Sequence, residues 1–207
     1  VIGVRTTGLW GSIWSRKGRT VTPPFGKGLH MGNAFVVGDR VVVTAVENWG
    51  KGRFYLLESS DLEHWSEPRL ILENPKWEGY NTTMCRAGDK FVLAFELGKP
   101  AEKVGPNPFT MFFAESKDLK NWSHLSDFGQ GIGSHVSVWE CPDLMEMEYQ
   151  GKKKWALIVN INPGGPNGGS VAQYFIGDFD GKEFHADNLP YPLWVDEGVD
   201  NYAGVTF

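Results

Sequence analysis

The chain has 207 residues and a formal net charge of −5, from 20 Lys and Arg against 25 Asp and Glu. That balance, with no basic block longer than Lys152-Lys153-Lys154, excludes a nucleic-acid surface, and no apolar run approaches the roughly 18 residues of a membrane-spanning helix. Nine Trp, 13 Phe and 26 Gly favour short strands joined by tight turns over a helical bundle. The length fits one domain or one and a half. The two cysteines, Cys85 and Cys141, make no disulfide framework and leave the redox compartment open. The chain starts with Val rather than Met and shows no signal peptide, so a processed or excised piece is expected.

Residues 1–29 form an N-terminal segment punctuated by Gly and Pro, with aromatic residues at Trp10, Trp14 and Phe25. Val1 to Thr6 reads as one strand and the remainder as loop, including the basic run Arg16-Lys17-Gly18-Arg19. From His30 the chain repeats. Phe54-Tyr55-Leu56-Leu57-Glu58-Ser59-Ser60-Asp61-Leu62-Glu63-His64-Trp65 returns 57 residues later as Met111-Phe112-Phe113-Ala114-Glu115-Ser116-Lys117-Asp118-Leu119-Lys120-Asn121-Trp122. Gly38-Asp39-Arg40 before an apolar run recurs as Gly88-Asp89-Lys90, and a looser third copy starts at Gln150-Gly151-Lys152. No segment carries a 3.6-residue apolar period. A self-similar unit of four strands at this spacing predicts propeller blades. The fold class expected is all-β, of the five-bladed β-propeller type and incomplete, with about three and a half blades of four antiparallel strands. The units fall at about 30–70, 78–127 and 137–190, with a further blade starting at about 194–207, all within one propeller domain over residues 30–207.

Each unit's first strand opens on a polar cluster: His30-Met31-Gly32-Asn33, Tyr80-Asn81-Thr82-Thr83 and Trp139-Glu140-Cys141-Pro142-Asp143. Innermost propeller strands line a channel, so these clusters should converge on one funnel. Glu140 lies before Pro142, which belongs at a strand's first residue or edge, ahead of an alternating strand from Met145 to Tyr149. A carboxyl group raised in pKa beside a flat aromatic wall suits sugar hydrolysis; a surface glutamate beside a core tryptophan is the plainer reading. Glu47 and Glu96 end the second strands of the first two units and read as strand-end caps, with a funnel acid as the alternative. Trp65 and Trp122 repeat with the blade and read as core, while Trp139 and Trp194 are the sugar-stacking candidates.

Other patterns carry little. Gly129-Gln130-Gly131-Ile132-Gly133 lacks the helix of a dinucleotide fingerprint, and Pro163 to Gly169 lacks the Lys-Ser/Thr of a phosphate loop, so both are loops. Asn81-Thr82-Thr83 and Asn121-Trp122-Ser123 match the glycosylation pattern. His30, His64, His124, His135 and His185 show no ligand spacing; neither metal nor cofactor is expected.

Residues from about 116 to 207 resemble glycoside hydrolase family 32, the fructan hydrolases that include exo-inulinases, levanases and invertases. The resemblance rests on Ser116-Lys117-Asp118-Leu119-Lys120-Asn121-Trp122, Ser126-Asp127-Phe128-Gly129 and Val138-Trp139-Glu140-Cys141-Pro142-Asp143-Leu144. It continues through Asn162-Pro163-Gly164-Gly165-Pro166-Asn167-Gly168-Gly169-Ser170, Gln173-Tyr174-Phe175, Gly177-Asp178-Phe179-Asp180-Gly181 and Asp200-Asn201-Tyr202-Ala203. It implies a five-bladed propeller, an extracellular or periplasmic setting, and the general acid/base role for Glu140. Trp139, Asp143, Asn81, His30, Trp194, Asp200 and Tyr202 are then the candidates for binding carbohydrate.

The first 115 residues follow another pattern. His30-Met31-Gly32-Asn33 and Asn107-Pro108-Phe109-Thr110 resemble family 43-type propeller glycosidases. The Trp-Met-Asn-Asp-Pro-Asn motif that carries the family 32 nucleophile has no match, and Tyr80-Asn81-Thr82-Thr83 stands where its Arg-Asp-Pro motif should fall. A chimera or a fragment is therefore expected, with open blade edges as sites for homo-oligomer formation. Three functions follow: a retaining β-fructosidase impaired by the missing motifs, a non-catalytic carbohydrate-binding or engineered scaffold propeller, and a family 43-like glycosidase using acids such as Glu47 or Glu96.

Overall fold

The computed structural model describes residues 3–7, 10–14, 20–21, 29–47, 52–73, 81–97, 110–187, 189–204 and 206. These residues form strands and turns, with no helix among them. The expected single N-terminal strand is in fact three: β1 (Gly3–Thr7), β2 (Trp10–Trp14) and β3 (Thr20–Val21) pair antiparallel in that order, and β2 lies beside the first strand of the next sheet. Short, glycine-broken strands leave too little alternation to be read from sequence. The basic run at 16–19 and the Asn107-Pro108-Phe109 motif lie outside the described residues.

Each repeat unit folds into a four-stranded antiparallel meander. The first holds β4 (Leu29–Val37), β5 (Arg40–Glu47), β6 (Arg53–Ser59) and β7 (Arg69–Glu73). The second holds β8 (Thr82–Ala87), β9 (Lys90–Leu97), β10 (Thr110–Ser116) and β11 (Ser123–Phe128). The third holds β12 (Trp139–Tyr149), β13 (Lys152–Ile161), β14 (Val171–Phe179) and β15 (Phe184–Ala186). A short β16 (Leu193–Trp194) pairs with Tyr174 and Gln173 of β14. Leu193 and Trp194 therefore lie against the third sheet.

The repeated Ser-x-Asp-Leu sequences build the same turn twice. The Asp61 carboxylate accepts from the backbone N–H of Glu63 and His64 at 2.8 and 2.7 Å, and Asp118 accepts from those of Lys120 and Asn121 at 2.8 Å each. Leu62 and Leu119 follow in the left-handed region, at φ 65° and 62°. Asp180 repeats the device with Gly181 in the left-handed place. An aspartate that caps its own turn makes that conformation tolerable for leucine.

The sheets pack face to face through two separate apolar clusters. Val42, Val46, Phe54 and Leu56 of the first meet Leu93, Phe95, Phe112 and Ala114 of the second. The alternate residues Val92, Ala94, Met111 and Phe113 meet Trp139, Leu157, Val159, Ile161 and Phe175 of the third. Period-2 geometry gives the middle sheet two apolar faces, so its strands read as continuous hydrophobic runs. Trp65 and Trp122, expected as core, are half-buried; Trp122 packs against the first cluster and donates from Nε1 to Leu119 O at 3.2 Å. Single hydrogen bonds join neighbouring sheets at the hairpins: Arg69 Nη1 donates to Leu119 O at 2.8 Å, and Ser126 Oγ to Lys182 O at 2.6 Å.

Candidate active site

The first strands of the three sheets, β4, β8 and β12, run side by side, with β8 in contact with both others. The two outer ones carry a bulge at a matching place. In β4 the register shifts between Met31 and Ala34, which sets Gly32 and Asn33 against Thr44. In β12 it shifts between Glu140 and Asp143, which sets Cys141 and Pro142 against Val159. A bulge tolerates a residue that cannot donate to the ladder and re-aims the side chain before it. The strand therefore starts at Trp139 rather than Met145, and proline sits within it because β12 is an edge strand bulged at that point.

Glu140 is half-buried at this bulge, and burial holds its carboxyl above the ordinary glutamate range. Cys141 takes the left-handed conformation, φ 46°, and its thiol is pushed up to about 12 by burial and then by the charges of Glu96 and Glu140. The two carboxylates thus flank one thiol from different sheets. Glu96 is fully buried, and its Oε1 accepts from Asn81 N at 2.6 Å and Asn81 Nδ2 at 3.3 Å. Asp143 is also buried; its Oδ2 accepts from Thr206 N at 2.8 Å and Thr206 Oγ1 at 2.7 Å. Burial raises the Asp143 carboxyl, against the lowering effect of those two bonds.

On the first sheet, Asn33 N and Thr82 Oγ1 both donate to Thr44 Oγ1, at 2.8 and 2.6 Å, which ties β4 to β8 just below the polar cluster. Gly32 permits this approach, because a Cβ there would fall 1.9 Å from Thr82 Oγ1. The side chain of His30 lies outside the described part of the structure. Glu47 stands at the strand end as a cap, accepting from Tyr55 OH at 3.0 Å and Arg53 Nη1 at 3.2 Å.

Trp139 departs from expectation. Its side chain is fully buried in the cluster between the second and third sheets. His135 stacks on the ring at 4.5 Å, Phe175 packs at 5.5 Å, and Nε1 donates to Ser134 O at 2.7 Å. Fully buried and with its one donor engaged, the ring offers no platform to a sugar. The sequence pattern misled because a strand's first residue can point into either layer. Trp194 is half-buried against the same cluster. Asp200 is exposed and accepts from Ser170 Oγ, while Tyr202 is 37% exposed.

Sequence reasoning passed over Asn160. It pairs with Glu140 across the β12–β13 ladder, is fully buried, and donates from Nδ2 to Cys141 O at 3.0 Å. Its Oδ1 accepts from Ala203 N at 3.0 Å, which brings the segment bearing Asp200 and Tyr202 beside the bulge. An asparagine inside an apolar strand, Trp155-Ala156-Leu157-Ile158-Val159-Asn160-Ile161, was the signal that could have found it. Among the described residues no three His, Cys, Asp or Glu side chains are grouped to hold a metal ion.

The profile of the glycosyl hydrolases family 32 N-terminal domain matches residues 101–207, more than half of the chain. The chain belongs to glycoside hydrolase family 32. A levanase of Bacillus subtilis is 50% identical over 96 residues, 44% of this chain and 14% of that protein. An extracellular exo-inulinase of Meyerozyma guilliermondii is 47% identical over 94 residues, 44% of this chain and 18% of the relative. The match thus spans under a fifth of the length of these two relatives. Among solved structures, a sucrose-6-phosphate hydrolase from Lactobacillus gasseri superposes with a TM-score of 0.68 at 17% identity, covering 94% of this chain and 44% of that one. A family 43 β-xylosidase/α-arabinofuranosidase from a compost metagenome gives 0.53 at 12% identity, covering 76% and 57%. The fold is therefore all-β, with three four-stranded antiparallel sheets that match part of a family 32 five-bladed propeller.

Proposed function

We propose that this chain forms the proton-donating part of a retaining β-fructosidase site, with Glu140 as general acid/base and fructans or sucrose as the substrate class. The observation that carries the reading is the state of Glu140: a half-buried carboxyl on a strand bulge, its protonated form favoured by burial. A glycosidase acid must be protonated near neutral pH to meet the leaving oxygen. Tyr202, Asp200 and Trp194 of the adjoining segment, together with Asn81 and His30, are proposed to face the sugar. Asp143 joins them through the segment it holds at Thr206. Residues 30–207 act in this reading as one propeller unit. The extracellular naming of the exo-inulinase supports an extracellular setting. Self-association through blade edges belongs to the same proposal and is read by light scattering.

A second reading, a carbohydrate-binding propeller without the chemistry, is favoured by one observation. The two other described carboxylates at the bulge, Glu96 and Asp143, are buried and already occupied by donors from Asn81 and Thr206. Retention needs a second carboxylate about 5 Å from the acid, and general acid help alone is worth about 10² to 10⁴ in rate. Hydrolysis is therefore expected to be weak. The experiment is reducing-sugar release from sucrose, inulin and levan by the chain and by Glu140→Gln, with calorimetric titration of a fructo-oligosaccharide alongside. Weak release lost in the variant supports the first reading. Binding without release supports the second, and neither binding nor release defeats both.

A further inference from the structure

We propose that Asn160 is the positioning residue of Glu140: its buried amide clamps the bulge that aims the acid to the segment carrying Tyr202. The inference rests on Glu140 being the general acid. Five non-glycine residues in the described structure have positive φ: Leu62, Leu119, Cys141, Gln150 and Ala203. Leu62 and Leu119 lie in the aspartate-capped hairpins, and Gln150 is in the two-residue turn between β12 and β13. The remaining two, Cys141 at φ 46° and Ala203 at φ 57°, lie outside hairpin turns. Asn160 binds a backbone group of each, Cys141 O from Nδ2 at 3.0 Å and Ala203 N at Oδ1 at 3.0 Å, and its Nδ2 also reaches the carbonyl of Glu140 itself at 3.5 Å. A residue with a Cβ is strained in the left-handed region, and such strain persists only where its surroundings enforce it.

One amide satisfies both ends. Its donor turns Cys141, which directs the preceding side chain of Glu140. Its acceptor fixes Ala203, which follows Tyr202. Amide geometry suits the task because it offers a donor and an acceptor from one rigid plane. Asp143 holds the same segment three residues further on, at Thr206. The acid on the sheet and the aromatic residue on the segment therefore keep a set relation through Asn160. The titratable groups around the bulge are Cys141, which the charges of Glu140 and of Glu96 of β9 both reach, and Asp143, whose charge reaches Cys85 of β8.

The test uses the full chain with Asn160→Leu, which keeps the branched outline of the side chain and removes its hydrogen bonds. Asn160→Thr serves as the better-tolerated variant should the first not fold. The readouts are the Glu140 carboxyl titration, followed by carbon-13 NMR and assigned by its loss in Glu140→Gln, and the pH profile of fructose release from inulin. In either variant Glu140 is expected to titrate in the ordinary glutamate range. Turnover should fall about 10- to 100-fold, as expected for a misplaced catalytic group, with KM changed less than turnover. Cys141→Gly in the same background should recover part of the loss, since glycine takes the left-handed conformation without a Cβ. An unchanged Glu140 titration in folded Asn160 variants overturns the proposal, whatever their thermal stability. If Glu140→Gln leaves fructose release unaltered, the general-acid reading fails, and the carboxyl titration alone still decides whether Asn160 governs Glu140.

Discussion

Gly129 lies flat against the ring of Trp139, so close that a Cβ on Gly129 would stand 2.4 Å from Trp139 Cζ3. Gly129 also holds φ 106°, a conformation closed to other residues. Gly129→Ala is therefore expected to destabilise the fold through both strain and overpacking, by about 1–3 kcal/mol, read as a fall in the urea midpoint. A midpoint unchanged from the parent would show that the loop before β12 yields freely.

Trp139 is expected to act on stability rather than on sugar affinity. Trp139→Ala empties the centre of the cluster between the second and third sheets, for which about 3–5 kcal/mol is typical. Trp139→Phe keeps most of the packing but strands the Ser134 carbonyl, and should fold while melting earlier. Calorimetric titration of a fructo-oligosaccharide into Trp139→Phe should match the parent. A large loss of affinity in a fully folded variant would return the ring to the binding surface.

Glu140→Gln should stabilise the fold in a pH-dependent way. Burial raises the Glu140 carboxyl in the folded chain, so between the unfolded and folded titrations the folded state binds more protons. Stability from this group is then complete below the unfolded pKa and is lost as pH rises through the folded one. The glutamine variant should melt higher than the parent near neutral pH, and the gap should close toward pH 3. A gap that widens on acidification would show the carboxylate to be favourably held.

Gly32 and Thr82 should behave as a coupled pair. Gly32→Ala pushes a Cβ into Thr82 Oγ1 and should destabilise the contact between β4 and β8. Thr82→Ala removes the obstructing hydroxyl together with its 2.6 Å bond to Thr44. The double variant should be more stable than the sum of the single effects predicts, by an interaction energy of about 0.5–3 kcal/mol. Strict additivity in thermal melts would mean that the strands separate without cost at this point.

Asp118 should be a turn residue with an acid-sensitive contribution. Hydrogen bonds from Asn121 and Lys120 hold its carboxyl well below the usual carboxylate range. Its contribution is present above the unfolded pKa and lost as pH falls through the depressed folded one. Asp118→Ala should lower Tm near neutral pH, and the difference should shrink in strong acid. Equal differences across the pH range would indicate that packing, not charge, supports the turn.

The repeat was legible because its signals are local: the Gly-Asp turns, the Ser-x-Asp-Leu turns and the runs of strand-forming residues all act within a few positions. What connects the sheets was not. The bulges at Gly32-Asn33 and Cys141-Pro142 depend on which residues of the partner strand lie opposite, and no single strand reveals its register. The inward turn of Trp139 depends on Gly129, ten residues earlier, and Asn160 finds Ala203 across a sequence separation of 43 positions. Glu140 stands out because its family pattern is contiguous, whereas Asn160, which pairs with it across the ladder, and Ala203, which Asn160 holds, come from β13 and the segment after β16.

The middle sheet shares its two faces between both apolar clusters, and this governs how protection should be distributed along the chain. Opening either cluster exposes β9 and β10 on one side only; both must open before those strands are released. Deuterium uptake at equilibrium should thus be slowest at Val92 to Phe95 and Met111 to Ala114, since their amides report the full unfolding free energy. The outer strands β7 and β15 should exchange through smaller, partial openings.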